Sequence, residues 1–147
     1  MKNKNLIFRQ LLDYETNTFT YLLADIDSKE AIIIDPVRER VDRDLNLLKE
    51  LGLKLKYILE THVHADHVTS ASQLRQATGA ESVYGKPAGI ACADHLAKDG
   101  QVFKFGVHEV KVLTTPGHTP GCVSFLIDDM VFTGDALLVR GTGRTDF

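Results

Sequence analysis

One short segment of the chain, residues 62–67, is rich in side chains that bind metals. It holds three of the six histidines of the protein and one carboxylate, which are His62, His64, Asp66 and His67. In an extended backbone alternate side chains share a face, so the first three of these could converge on one point. The fourth follows where we expect a helix to begin, and its ring would approach from another direction. Neutral imidazole and carboxylate groups suit divalent transition metals, so the segment predicts a site for one ion or two.

Two further candidate ligands follow apolar, strand-like runs of the sequence. His118 lies in a turn rich in glycine and proline after the run 110–114, and Asp135 follows Thr133 and Gly134 after the run 130–132. Taken alone, either residue would be typical of a turn. Loops at strand ends are, however, where a rigid scaffold presents ligands. Because the cluster at 62–67 already indicates a metal site, we interpret both residues as ligands of it.

The composition indicates a single folded domain and argues against several kinds of partner. The 147 residues are 44% hydrophobic and 25% charged, as in ordinary globular domains. The net charge of −3 offers no basic field for nucleic acid or an anionic membrane. No apolar run approaches the ~20 residues that span a bilayer. Cys92 and Cys122 do not form a disulfide framework, and the apolar stretch 6–8 is too short for a signal peptide. We therefore expect a reducing, cytoplasmic location.

The apolar periodicity predicts an α+β, or layered α/β, domain with mixed sheets. An antiparallel meander of three strands is followed by two amphipathic helices, at 41–51 and 68–78, which end at Gly52 and Gly79. Ala77 is predicted to face inward with Ala71 and Leu74. The predicted strands are 6–13, 18–25, 31–34, 55–60, 82–84, 102–105, 108–114, 122–127 and 130–133. Ligands at the ends of such strands would gather along one edge of the sheets.

Two histidines outside the motifs are interpreted as ordinary polar residues. His95 lies in a less regular segment, 85–101, and we expect it at the surface or at a helix cap. His108 is interpreted as a solvated residue that alternates outward in its strand. Neither is predicted to be a ligand.

Three motifs, taken together, resemble those of the metallo-β-lactamase superfamily. They are Thr-His-x-His-x-Asp-His at 61–67, Pro-Gly-His-Thr-Pro-Gly at 116–121 and Thr-Gly-Asp at 133–135, in matching order and separation. The resemblance implies an αββα sandwich with the metal site at one edge. It also implies roughly a hundred further residues in a full-length member, supplying much of the second sheet-and-helix half. We therefore expect residues 1–147 to form a single domain that is incomplete at its C-terminus.

Such an incomplete domain would leave one sheet face uncovered. We expect it either to be unstable alone or to be completed by a partner, which would be a second copy in a homodimer or a completing chain segment.

Within the superfamily, the segments 65–70 and 135–147 resemble those of the persulfide dioxygenases. The pair of glycines that glyoxalase II-like thioesterases carry after the first cluster is absent, and the late stretch 135–147 differs from theirs. Cys122 directly after Gly121 also matches the dioxygenases. Thr142 stands where members of that subfamily often have cysteine, which removes a reactive thiol but no ligand.

The resemblance implies one Fe(II) per chain and a defined set of ligands. The implied ligands are His62, His118 and Asp135. Two imidazoles and one carboxylate form the facial triad of non-haem iron oxygenases, which leaves positions open for substrate and O₂. The other three donors of the 62–67 cluster would orient these ligands through hydrogen bonds, whereas in two-metal relatives the same positions bind zinc. The implied reaction oxidises glutathione persulfide with O₂ to sulfite and glutathione.

Arg140 and Arg144 lie in the glycine-rich late stretch and have two interpretations. A guanidinium group suits the carboxylates of glutathione, because its two parallel N–H groups match a carboxylate. It could instead brace the loop against a nearby acid such as Asp146, and we favour bracing.

Two other functions remain open from the sequence. One is a dinuclear zinc hydrolase of a glutathione thioester, in which His64, Asp66 and His67 are true ligands and a metal-bound hydroxide is the nucleophile. The other is a non-catalytic, truncated module that binds a metal or a partner.

Overall fold

Two β-sheets lie face to face, and two helices cover the outer face of the first sheet. The computed structural model describes residues 5–15, 18–61, 65–85, 93–114, 123–133 and 139–140. Within these ranges no helix lies on the outer face of the second sheet. The described layers are therefore helix, sheet and sheet, in agreement with the predicted sandwich.

The first sheet is mixed, and its six strands follow one another in chain order. They are β1 (Leu6–Asp13), β2 (Thr18–Asp25), β3 (Glu30–Ile34), β4 (Lys54–Leu59), β5 (Glu81–Gly85) and β6 (His95–Ala97). The first three pair antiparallel, which confirms the predicted meander. From β3 to β6 the pairing is parallel, so these strands all end at the same edge of the sheet.

The second sheet is antiparallel throughout. Its strands are β7 (Val102–Phe105), β8 (His108–Thr114), β9 (Val123–Ile127), β10 (Met130–Phe132) and β11 (Val139–Arg140). They pair in the order β11-β10-β9-β8-β7. Asp128 and Asp129 form the predicted tight turn between β9 and β10.

The core lies between the two sheets and is built by alternation along their strands. In β8, Val110 and Val112 point inward while Glu109 and Lys111 point to solvent. Aromatic rings close one side of this core, where the ring of Tyr21 meets that of Phe132 edge to face at 4.9 Å between centroids. A second apolar cluster holds the helices against the outer face of the first sheet. Burial on both faces explains the nearly continuous apolar sequence of β3.

Helix α1 (Val41–Leu51) has the bounds that its sequence predicts. Leu48 is buried, and the other apolar residues of its stripe pack partly buried against the sheet. Gly52 ends the helix in a left-handed conformation with φ 66°, which glycine adopts without steric cost. A 3-10 turn, Arg38–Arg40, leads into this helix from β3.

Helix α2 (Ala65–Thr78) differs from the prediction at both its start and its buried face. It begins three residues before the predicted start, so Asp66 lies in helical rather than extended backbone. Ala77 is exposed, contrary to the prediction, whereas Ala71 and Leu74 are buried as predicted. Two turns of a helix take about seven residues, so Thr78 rather than Ala77 lies in line with Ala71.

Of the two histidines outside the motifs, His108 departs from its predicted setting and His95 is partly exposed, in agreement with a surface position. His108 is buried, with 2% of its surface exposed, and the prediction of a solvated residue is wrong. It shares the inward face of β8 with Val110 and Val112 because alternate residues of a strand share a face. His95 lies in β6 rather than at a helix cap, and its Nε2 is 2.9 Å from a Glu81 carboxylate oxygen.

Asp44, in the first turn of α1, should make the stability of the protein depend on pH. Burial raises its pKa to about 6, although the guanidinium group of Arg43 opposes this. A carboxyl group with a raised pKa in the folded state favours folding below its unfolded value near 3.8 and loses that contribution as pH rises to about 6. Asn cannot ionise, so the Asp44→Asn variant should escape this loss. From pH 4 to pH 7, its unfolding free energy should rise by about 2 kcal/mol relative to that of the original chain.

Chemical denaturation at both pH values measures this difference. The exposed Asp42 of the same helical turn provides the control, and Asp42→Asn should follow the pH profile of the original chain. A parallel profile for Asp44→Asn would contradict the assigned role of Asp44.

Candidate metal centre

Three segments that carry predicted ligands leave the described strands at one edge of the sandwich. The end of β4 and the start of β9 meet there, because the N–H of Val123 donates to the carbonyl of Thr61 at 2.8 Å. The end of β8 is at the same edge, where Thr114 pairs with Val123. Strand β10 also runs toward this edge, since it is antiparallel to β9. The chain segments that adjoin these strand ends therefore all start from one edge of the sandwich. They are residues 62–64, 115–122 and 134–138.

Most of the predicted donors themselves lie outside the described residues. These are His62, His64, His118 and Asp135, and Arg144 and Cys122 lie outside as well. Within the described ranges, no three His, Cys, Asp or Glu side chains are grouped as metal ligands. The ligand set stays a prediction, supported by the placement of the strands from which its segments depart.

Asp66 and His67 are placed by their backbone alone. Both lie in the first turn of α2, which starts at Ala65 and follows β4 at the candidate edge. The extended alternation that would have aligned Asp66 with the two histidines before it does not apply in a helix. Arg140 pairs with Met130 in the ladder between β11 and β10, so its backbone belongs to the second sheet.

A buried carboxylate holds the chain at the point where the first motif begins. Asp35 accepts a hydrogen bond from the backbone N–H of Thr61 at 2.8 Å and one from its hydroxyl group at 2.6 Å. Both residues are at most 3% exposed. Hydrogen bonds to a charged group are stronger than neutral ones, and removing the acceptor would leave buried donors. Asp35 therefore fixes the residue that directly precedes His62.

Thr61 also connects the two sheets. Its carbonyl accepts from Val123, the first described residue after the segment that carries His118. One residue thus joins the start of one ligand-bearing segment to the end of another. This role of Asp35 was not predicted from the sequence. The signal available there was an aspartate directly after the apolar run 31–34.

Glu60 contributes a second buried acid at the same edge. It is fully buried, and desolvation, with a smaller effect from the charge of Asp35, raises its pKa well above the ordinary value. Its backbone N–H donates to the carbonyl of Val83 at 3.0 Å, which ties the end of β4 to β5. Below its raised pKa Glu60 is neutral, so the two adjacent acids need not both carry charge.

Two arginines anchor the first hairpin beside this edge. Arg40 donates to a carboxylate oxygen of the buried Asp13 at 2.8 Å, and Arg43 donates to the carbonyl of Leu12 at 3.2 Å. The end of β1 is thereby attached to the segment that enters α1. The 3-10 turn of that segment packs against α2, which carries Asp66 and His67.

The fold and the three motifs define a class of protein. The metallo-beta-lactamase superfamily model matches residues 13–147, and the chain belongs to this superfamily. Members of this superfamily bind metals, which agrees with the chemistry of the predicted donors.

Within the superfamily, the similar proteins include persulfide dioxygenases. The chain is 50% identical over 145 residues to persulfide dioxygenase ETHE1, mitochondrial, of Homo sapiens, covering 97% of this chain and 57% of that protein. The crystal structure of ETHE1 from Myxococcus xanthus superposes with a TM-score of 0.83 at 50% identity, covering 96% of this chain and 62% of that one. Hydroxyacylglutathione hydrolase of Brucella ovis is 38% identical over 128 residues, covering 84% of this chain and 46% of the hydrolase. The chain thus spans little more than half the length of the dioxygenases it matches.

Among the described helices, none is both long and apolar enough to cross a bilayer.

Removing the carboxylate of Asp35 should weaken both the fold and the metal site. We expect Asp35→Ala to lower the unfolding free energy by about 2–4 kcal/mol, because two hydrogen bonds to a buried charge are lost. Metal affinity should fall by about tenfold or more, as for other groups that hold ligand segments in place. Denaturation and competition with a chromophoric chelator measure the two effects.

Asp94 provides a matched control at the opposite edge. It accepts from the backbone N–H and the hydroxyl group of Ser82 through one oxygen, and it also pairs with Arg75. Asp94→Ala should therefore lower stability and leave the metal affinity of the folded protein unchanged. Equal losses of metal affinity in both variants would show that Asp35 acts through general stability only.

Proposed function

We propose that the protein is a non-haem Fe(II) persulfide dioxygenase, which oxidises glutathione persulfide with O₂ to sulfite and glutathione. The observation that carries this proposal is 50% identity, over 97% of the chain, to a protein named persulfide dioxygenase. Because the chain spans only 57% of that relative, activity, substrate and partners all belong to the proposal.

The residues proposed to hold the iron are His62, His118 and Asp135. Bound iron would supply the redox chemistry that the reaction of O₂ with a persulfide requires. The role of the protein is to position the ligands. Asp35 and Thr61 hold the start of one segment that carries a ligand against the end of another. A fixed site brings two reactants together without the entropy cost of a free encounter.

Arginines and acids around the site have proposed supporting roles. His64, Asp66 and His67 would orient the ligands, which keeps the coordinating nitrogens and oxygens in place. Arg140 and Arg144 are both proposed to brace their loop, and the alternative for both is to meet a carboxylate of glutathione. Cytoplasmic location, a homodimer and a completing segment stay predictions, and the human relative is named as mitochondrial.

Oxygen uptake tests the proposed reaction. Protein purified without air and loaded with ferrous iron should bind one iron per chain and consume O₂ only when a persulfide is added. His118→Ala should lower this uptake at least about 100-fold, because a ligand of the iron is lost. His95→Gln is the control, since His95 lies in β6 away from the motifs. A folded, iron-loaded sample that consumes no O₂ with glutathione persulfide contradicts the proposal.

The second candidate is a dinuclear zinc hydrolase of a glutathione thioester. It is favoured by the similarity to hydroxyacylglutathione hydrolase and by the position of Asp66 and His67 at the start of α2. In this case both residues would bind a second ion, and a metal-bound hydroxide would attack the thioester.

Asp66→Ala separates the two candidates. In the dioxygenase the variant should keep one iron per chain and lose O₂ uptake by only about 10–100-fold, as for other outer groups of a metal site. In the hydrolase it should lose one of two zinc ions, together with thioester hydrolysis. Elemental analysis of the original chain and the variant, beside both assays, measures the difference. Inactivity of the metal-loaded original chain in both assays would favour the third reading, a non-catalytic metal-binding module.

A further inference from the structure

A second group of buried charges lies at the edge of the sandwich opposite to the candidate metal centre. Asp25 ends β2 of the first sheet, and His108 begins β8 of the second. Asp128 lies in the turn between β9 and β10. These three residues, the Asp25–His108–Asp128 cluster, bring two carboxylates to one imidazole.

The imidazole lies between the two carboxylates. Its Nδ1 is 3.1 Å from an oxygen of Asp128, and its Nε2 is 3.5 Å from Oδ1 of Asp25. The side chains of His108 and Asp25 are each 1% exposed, and that of Asp128 is 7% exposed. The ring of Phe105 stacks on the imidazole with 5.3 Å between centroids. The ring therefore has little access to water.

Both ring nitrogens face groups that only accept hydrogen bonds. A neutral imidazole has one N–H and one lone pair, so one nitrogen would direct its lone pair at an ionised carboxylate. Among the described residues, neither Nε2 of His108 nor Oδ1 of Asp25 has a hydrogen-bond partner, although the two atoms lie 3.5 Å apart. A buried polar atom without a partner costs free energy, and a proton on both nitrogens removes this cost.

The surroundings favour an ionised Asp25. Burial by itself would raise its pKa, but the hydrogen bonds from Ser28 and from the backbone of Val107, together with the charge of His108, outweigh burial and lower it. The backbone N–H of Ser28 donates to Oδ2 at 2.8 Å. A side chain at Gly106 would overlap the carboxylate, so the turn between β7 and β8 lies directly against Asp25.

The other charged groups nearby include Glu30 and Lys56, and Glu109 and Lys111 lie beside Asp128. Glu30 of β3 accepts from the N–H of Gly106 at 2.6 Å and lies 3.7 Å from the ammonium group of Lys56 in β4. This pair connects the same turn to the first sheet without involving His108. Among the contacts of this turn with the first sheet, the one that involves the imidazole is the contact between His108 and Asp25.

We propose that His108 is a pH-dependent latch between the two sheets, which is closed while the imidazole carries protons on both nitrogens. In that form it donates to Asp128 within its own sheet and carries a positive charge 3.5 Å from the carboxylate of Asp25 in the other sheet. Loss of the proton as pH rises removes one of these contacts, so the contribution of the latch is present at lower pH and lost at higher pH. This inference does not depend on the proposed enzyme activity.

NMR of the imidazole nitrogens tests the protonation state directly. At pH 6 both nitrogens of His108 should give the shifts of protonated, hydrogen-bonded nitrogens. Replacing either partner, by Asp25→Asn or Asp128→Asn, should leave a smaller fraction of His108 rings protonated on both nitrogens at pH 6, because an opposite charge within contact is lost. A neutral ring of a single tautomer at pH 6 in the original chain overturns the proposal.

Hydrogen exchange tests whether the ring acts as a latch. Protection of the Gly106 amide should fall about tenfold or more as the ring of the original chain loses its proton. In His108→Gln protection should no longer change over that pH range, whereas His95→Gln should behave like the original chain. Protection that stays constant through the His108 titration of the original chain overturns the latch even if the ring is charged.

Discussion

The hydrogen bonds between Asp35 and Thr61 are the interaction on which the candidate site depends. The two residues are 26 positions apart in the chain, and parallel pairing of β3 with β4 brings them together. Asp35 uses both carboxylate oxygens, and the carbonyl of Thr61 reaches across to Val123 in the second sheet. Thr61, which Asp35 holds in place, therefore sets the relative position of two segments with predicted ligands before any metal binds.

Local patterns predicted most of the elements because their causes are local. Helix α1 has the predicted bounds since its apolar stripe and Gly52 are both signals within a dozen residues. In helix α2, which has few apolar side chains, the predicted buried face was displaced by one residue, and Ala77 was therefore placed on the wrong side. The error at His108 had a different cause, because a polar ring on the inward face of β8 is stable only with acids that come from β2 and from the β9–β10 turn.

The donors of the candidate site stay a prediction from the sequence, whereas the residues that support their segments were found only in the structure. The motifs at 62–67, 116–121 and 133–135 indicate a metal site from residue types and spacing. Asp35 and Glu60 do not stand out in the sequence, because the role of each depends on which strand lies beside it. The start of α2 at Ala65 also required the structure, since the donor-rich segment reads equally well as strand or helix.

The parallel order of β3 to β6 has a consequence for how such proteins diverge. The connections that follow parallel strands all begin at the same edge of the sheet. These connections can change in length or composition while the packed layers stay intact. An edge of this kind lets new chemistry arise by exchange of surface segments. Relatives named as dioxygenase and as hydrolase can therefore share one framework.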